Sequence, residues 1–125
     1  ENVDKNVTVK LINTSKEDKT SVLTEVFKSK AIIVGSPTVN NGYLHSIAGI
    51  LEMIKGMKLK EKKAATFGSY GWSGEASKQI AELKKAGFRI ISDGIKVVWT
   101  PTEEMLEECK KFGEEFVKYC ELNVK

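Results

Sequence analysis

The chain has 125 residues, 41% of them hydrophobic and 30% charged, with a formal net charge of +3. That is enough for one domain, residues 1–125, with a real core and no covalent staples. No apolar run nears the roughly 20 residues of a membrane span, no signal-peptide pattern opens the sequence, and the aromatics do not interleave with the basic residues as on a nucleic-acid face.

Residues 7–12 (VTVKLI) alternate and are rich in β-branched side chains, which predicts a strand. Residues 13–19 are polar and turn-like, and residues 21–27 form a short helix with Thr20 as its N-cap. The brief apolar run at 31–34 (AIIV), ending in Gly-Ser-Pro, has the pattern of a strand buried on both faces. Residues 44–55 place Leu44, Ile47, Ala48, Leu51 and Ile54 at helical spacing, and 64–67 is the next short strand. A helix over 75–86 carries Ala76, Ile80, Ala81 and Leu83 on one stripe and stops at Gly87. Residues 88–91 and 95–99 are extended, separated by the turn pair Asp93-Gly94. The last helix runs over 102–121, its start favoured by Pro101 and by Glu103 and Glu104 at the positive end of the helix dipole. Strands alternating with helices across short loops give an α/β fold with a doubly wound parallel sheet.

The basic cluster Lys58, Lys60, Lys62 and Lys63 reads as a solvated turn between helix and strand. Cys109 and Cys120 lie eleven apart on one helix, about 16 Å along its axis, too far for a disulfide. They read as free thiols of a reducing compartment, and a cytoplasmic location is expected. His45 is the only histidine and no Cys-rich spacing accompanies it, so no metal site is expected. The chain opens at Glu1 without an initiator methionine, as a processed, cloned or partial chain would.

Two loops carry the chemistry. Each follows a strand and leads into a helix, so both open into the crevice at the carboxyl ends of a parallel sheet, where ligands bind. A flavin mononucleotide asks for phosphate donors at a helix N-terminus, for apolar faces against its ring, and for backbone that approaches the ring edge closely. In the first loop (residues 36–42, SPTVNNG), Pro37 stiffens the exit from the strand, and Asn40-Asn41-Gly42 favours backbone angles that expose N–H groups. Taken alone, this loop reads equally well as a turn that caps the next helix. The second loop (residues 68–75, GSYGWSGE) sets Tyr70 and Trp72 among three glycines. Aromatics so placed favour a ligand role over a core one.

These residues resemble the flavodoxin-like domain of the flavodiiron proteins, also called A-type flavoproteins. The resemblance is carried by GSPTVNNG at 35–42, FGSYGWSGEA at 67–76 and VWTPTEE at 98–104, and it spans the chain from Val7 to the last helix. It implies a flavodoxin-like sheet of strand order 2-1-3-4-5 and an FMN site. The candidate cofactor-binding residues are Ser36, Pro37, Thr38, Asn40, Asn41, Gly42, Ser69, Tyr70, Gly71, Trp72 and Gly74. By the same resemblance Thr38, Asn40 and Asn41 contact the ring or ribityl chain, and Ser69, Tyr70, Gly71 and Trp72 form the second wall. No catalytic acid–base residue is implied.

In the family this domain passes electrons from FMN to a diiron centre that reduces oxygen or nitric oxide. A single histidine cannot build that centre, so a redox partner protein or a diiron domain is the expected partner. Residues 7–12 align with the second strand of the fold, which leaves the first strand and its hydroxyl-rich phosphate loop unaccounted for and the domain N-terminally incomplete. A second alignment makes residues 7–12 the first strand and Asn13-Thr14-Ser15-Lys16 the phosphate loop, although it contains no glycine. With the central position empty, pairing across open strand edges would give a homo-oligomer. The competing function is a flavin-free remnant that serves as an assembly or interaction module.

Overall fold

The computed structural model describes residues 7–36, 45–57, 59, 62–70, 83–85, 87–90, 95–98 and 102–122. Its elements are α1 (Lys19–Lys28), β1 (Ala31–Gly35), α2 (His45–Met57), β2 (Lys63–Tyr70), β3 (Arg89–Ile90), β4 (Ile95–Val98) and α3 (Glu103–Leu122). Every described ladder is parallel. β1 runs along one edge of β2, with Ala31 beside Lys63 and Gly35 beside Phe67. β3 and β4 share the other edge, at Lys63–Ala64 and at Phe67–Tyr70. They lie in line, as one interrupted strand, so the four strands fill three positions with β2 in the centre.

The parallel α/β sheet expected from the sequence is present, but the strand expected at residues 7–12 is not. That stretch is irregular and joins no described ladder. Alternation supplies a face, whereas a strand also needs a continuous ladder of backbone hydrogen bonds, and the described ladders do not include this stretch. Ile12 instead packs against the helix-side core.

Helix starts follow side-chain acceptors. Asp18, not Thr20, caps α1: its carboxylate accepts from the Ser21 amide at 3.2 Å and the Ser21 hydroxyl at 3.3 Å. Thr20 lies inside the helix, where its carbonyl accepts from the Thr24 hydroxyl. At α3 the Thr102 hydroxyl accepts from the Met105 amide at 3.3 Å, and Glu103 and Glu104 occupy the first turn. Gly87, at φ 94°, closes the turn after the helical residues 83–85, a conformation costly for any residue with a Cβ.

The two faces of the sheet are covered unequally. On one side Val22, Ile47, Ile50, Leu51, Ile54, Ala64, Leu83 and Phe88 form the core, with Ile32 and Val34 packed against it. α2 contributes Ile47, Leu51 and Ile54 of its predicted stripe and also Ile50, while Ala48 is half-buried and Leu44 lies outside the described residues. The other side carries the alternate residues of β1 and β2, and α3 lies against its β4 side. There Ile33 is 43% exposed and Phe67 48%, so β1 is not buried on both faces as its apolar run predicts. Parallel sheets usually bury both faces, and continuous apolar runs express that; here only Ile32 and Val34 find cover.

The basic cluster is also not a solvated turn throughout. Lys58 and Lys60 lie outside the described residues, but Lys62 is half-buried and Lys63 is buried. Successive side chains leave an extended chain on opposite sides, and each of these lysines reaches the end of a different helix. The Lys62 ammonium donates to the carbonyls of Val26 (3.1 Å), Phe27 (2.8 Å) and Ser29 at the end of α1, with the Phe27 ring 6.0 Å away. Burial lowers its pKa from the ordinary lysine value. Lys63 donates to the Tyr119 and Cys120 carbonyls of α3 at 3.2 and 3.3 Å, with its ammonium 5.0 Å from the Tyr119 ring centroid. Terminal carbonyls lack intrahelical partners and carry the negative end of the dipole, so a buried cation satisfies both needs.

Replacing Lys63 by Met keeps most of the packing and removes the charged donor. It should lower unfolding stability by about 1.5–3 kcal/mol, the range for hydrogen bonds to charged groups, in a urea titration. Thr66 points the other way: it is fully buried and its hydroxyl has no hydrogen-bond partner among the described residues. Thr66→Val should raise stability by about 1 kcal/mol in the same titration; a loss instead would mean the hydroxyl is satisfied.

Candidate functional site

The crevice end of the sheet is defined by where β1, β2 and β4 stop. β1 ends at Gly35, and the next residue, Ser36, is buried, its amide donating to the Phe67 carbonyl at 3.3 Å. β2 runs on past the predicted 64–67 to Tyr70, with Ser69 beside Val97 and Tyr70 beside Val98 of β4. Gly68, Ser69 and Tyr70 are therefore strand, not the opening of a loop. The ladder to β4 supplies backbone partners that override the turn preference of the Gly-Ser pair.

Three of the predicted residues, Ser36, Ser69 and Tyr70, are thus brought to the carboxyl end of adjacent parallel strands. Pro37, Thr38, Asn40, Asn41, Gly42, Gly71, Trp72 and Gly74 lie outside the described residues. The helix polarity agrees with this end being the binding end. α2 and α3 follow the carboxyl ends of β1 and β4 in the chain, so their positive ends face the crevice side. The negative ends of α1 and α3 lie at the amino end of β2, on Lys62 and Lys63. Phe67 is not among the residues singled out from the sequence, because a phenylalanine in an apolar run reads as core; the register that pairs it with Gly35 appears only in the sheet.

In the alternative phosphate loop, Asn13-Thr14-Ser15-Lys16, the amides of Ser15 and Lys16 are already engaged, as is that of the following Glu17. The Asn13 side chain accepts from the Ser15 amide at 3.0 Å, and the Asn13 carbonyl accepts from the amides of Lys16 and Glu17 at 3.0 and 3.1 Å. The Thr14 hydroxyl donates to the Ser46 hydroxyl at 3.1 Å, fastening the turn to the first turn of α2. A phosphate cradle needs amides that converge on an empty point, whereas these converge on Asn13.

The profile of the Flavodoxin family matches residues 2–113. The chain belongs to the flavodoxin family. It is 47% identical over 117 residues to the anaerobic nitric oxide reductase flavorubredoxin of Vibrio vulnificus, and 44% identical to that of Aeromonas hydrophila. Each match takes in 93% of this chain, but only 24% and 23% of the relatives, so the chain spans about a quarter of their length. Among solved structures, the rubredoxin:oxygen oxidoreductase of Desulfovibrio gigas superposes with a TM-score of 0.87 at 36% identity, over 94% of this chain and 29% of that one. A flavodoxin from the domain Archaea gives 0.80 at 29% identity, over 94% of this chain and 80% of its own. The chain is thus a flavodoxin-like domain homologous to that of the flavodiiron proteins.

The occupied amides of the 13–17 turn lead to a direct check. Asn13→Ala should cost about 1 kcal/mol of stability through loss of the side-chain acceptor, measured by urea denaturation. It should leave the affinity for FMN and for inorganic phosphate unchanged; a drop in either would restore this turn as the anion site.

Proposed function

We propose that this chain is an FMN-binding electron-transfer domain, which hands electrons to a diiron centre that reduces oxygen or nitric oxide. The observation that carries the reading is the convergence of Ser36 and the Phe67–Tyr70 end of β2 at the carboxyl edge of a flavodoxin-family sheet. The names of the relatives, a nitric oxide reductase and an oxygen oxidoreductase, support the choice of acceptor.

The donor set fits the ring part of the cofactor. Backbone at the ends of β1 and β2 can approach a flat edge closely, and Tyr70 and Trp72 supply aromatic surface for its faces. In this reading Thr38, Asn40 and Asn41 hold the ring or ribityl chain from the β1 side, with Ser36, Pro37 and Gly42 shaping that loop. Ser69, Tyr70, Gly71, Trp72 and Gly74 form the β2 side. Bound FMN would supply one-electron chemistry, and the chain's own groups bind the ring, orient its edge and keep water from its faces. Residues 1–125 form one domain in this reading. The partner is a redox protein or a diiron domain, in the cytoplasm. Among the described residues no helix is long and apolar enough to cross a membrane.

A second reading is an assembly module without flavin, which uses the fold for docking alone. Two observations favour it: the occupied amides of the 13–17 turn and the half-exposed Ile33 and Phe67 on the thinly covered face. Titrating the purified chain into FMN separates the two. The electron-transfer reading expects quenching of flavin fluorescence and colour that travels with the protein on gel filtration. A folded chain that leaves the fluorescence unchanged supports the docking module. Trp72→Ala should weaken FMN binding about two- to tenfold, the span of an aromatic contact worth roughly 0.5–1.5 kcal/mol. Unchanged affinity would remove Trp72 from the site.

A further inference from the structure

Phe67 does something at the crevice that neither its sequence position nor the predicted site accounts for. It sits beside Gly35 in the β1–β2 register, on the face of the sheet away from the core cluster. A Cβ built on Gly35 would overlap the Cζ, Cε1 and Cε2 atoms of the Phe67 ring, so the ring occupies the space that any other residue's side chain would fill. The same residue's carbonyl accepts the amide of Ser36, the first residue beyond β1. Residues 35–36 are therefore held twice by Phe67, once by its backbone and once by its ring.

The last rung of a parallel ladder is the one most open to water, because no further rung shields it. A large apolar ring over the glycine excludes water from that rung on one face. Ser36, the residue that follows this rung, is itself buried. We infer that Phe67 is a positioning residue for the candidate cofactor site: its ring, laid over Gly35, pins the exit of β1 and so fixes where the loop beginning at Ser36 leaves the sheet. Its consequence for the cofactor rests on the FMN reading; its action on Ser36 does not. The pairing also explains the residue types. Gly35 leaves the room that the ring occupies, which a side chain there would make it vacate, and position 67 takes a flat ring because a branched chain would cover the glycine less completely.

The test is hydrogen exchange at the Ser36 and Val34 amides, paired with FMN titration and urea unfolding, in the full chain and in Phe67→Tyr, Phe67→Leu and Phe67→Ala. Phe67→Tyr keeps the ring and should match the parent in all three measurements. Phe67→Ala should speed Ser36 exchange about tenfold or more relative to Val34 and weaken FMN binding about tenfold, with Phe67→Leu between. Should Phe67→Ala fail to fold, Phe67→Leu carries the comparison. Ser36 exchange that moves only in step with Val34 and with the unfolding midpoint would reduce Phe67 to ordinary packing and overturn the proposal. Freed Ser36 with unchanged FMN affinity would overturn its link to the cofactor. A parent chain that binds no FMN, but in which Ser36 still responds, would sink the FMN reading and leave the clamp standing.

Discussion

The arrangement of both helical layers depends on two consecutive lysines. Lys62 and Lys63 stand at the amino end of β2, the central strand, and their side chains leave on opposite sides. One ends on the carbonyls of α1 and the other on those of α3. A layer of helices over a sheet can slide along the strands at little cost in apolar contact, since burial is not directional. Charge-assisted hydrogen bonds to a helix terminus are directional and short-ranged. The pair thus fixes the height of α1 and α3 against one point on β2. It also gathers negative dipole ends at the amino end of the sheet and compensates them with two cations.

What is fixed at one end of β2 is delivered at the other. The strand runs from Lys63 to Tyr70, and its last four residues are paired with β4 while Phe67 still holds Ser36 of the next chain segment over. Both determinants therefore lie on one element. The amino end sets the layers, and the carboxyl end sets the entry points of the two loops. The sheet is not equally supported across its width, because α3 lies against the β4 side while Ile33 on β1 stays half in water. A ring that seals the β1–β2 rung matters most on such a face.

How much of this was legible in the sequence follows from the type of signal. The stripe of Ile47, Leu51 and Ile54 on α2 and the stop at Gly87 depend on local chemistry, and both appear where the pattern puts them. The strand expected over residues 7–12 is absent from the described ladders because alternation says which side a residue prefers but not whether a ladder forms. Gly68-Ser69-Tyr70 erred the other way: turn-prone residues became strand because β4 presented a ladder. Asp18 outbid Thr20 as the cap because a carboxylate accepts both the amide and the hydroxyl of Ser21. Lys62 and Lys63 were misread for a deeper reason. A cluster of charges is usually solvated, and only the fold reveals that two helices end over this one.

The same division runs through the candidate site. Of the ring-facing residues expected from the sequence, Ser36, Ser69 and Tyr70 stand at the strand ends, and the others lie outside the described residues. For the phosphate part the sequence offers the hydroxyls of Asn13-Thr14-Ser15-Lys16, but the amides of Ser15 and Lys16 turn inward onto Asn13. Ring and phosphate are recognised by different physics, aromatic and backbone contact for one and converging donors with a helix dipole for the other. A site can hold the first without the second at reduced affinity. In the proposed reading the strand ends place and orient a flavin ring, and the strength with which the whole nucleotide is held depends on phosphate donors as well.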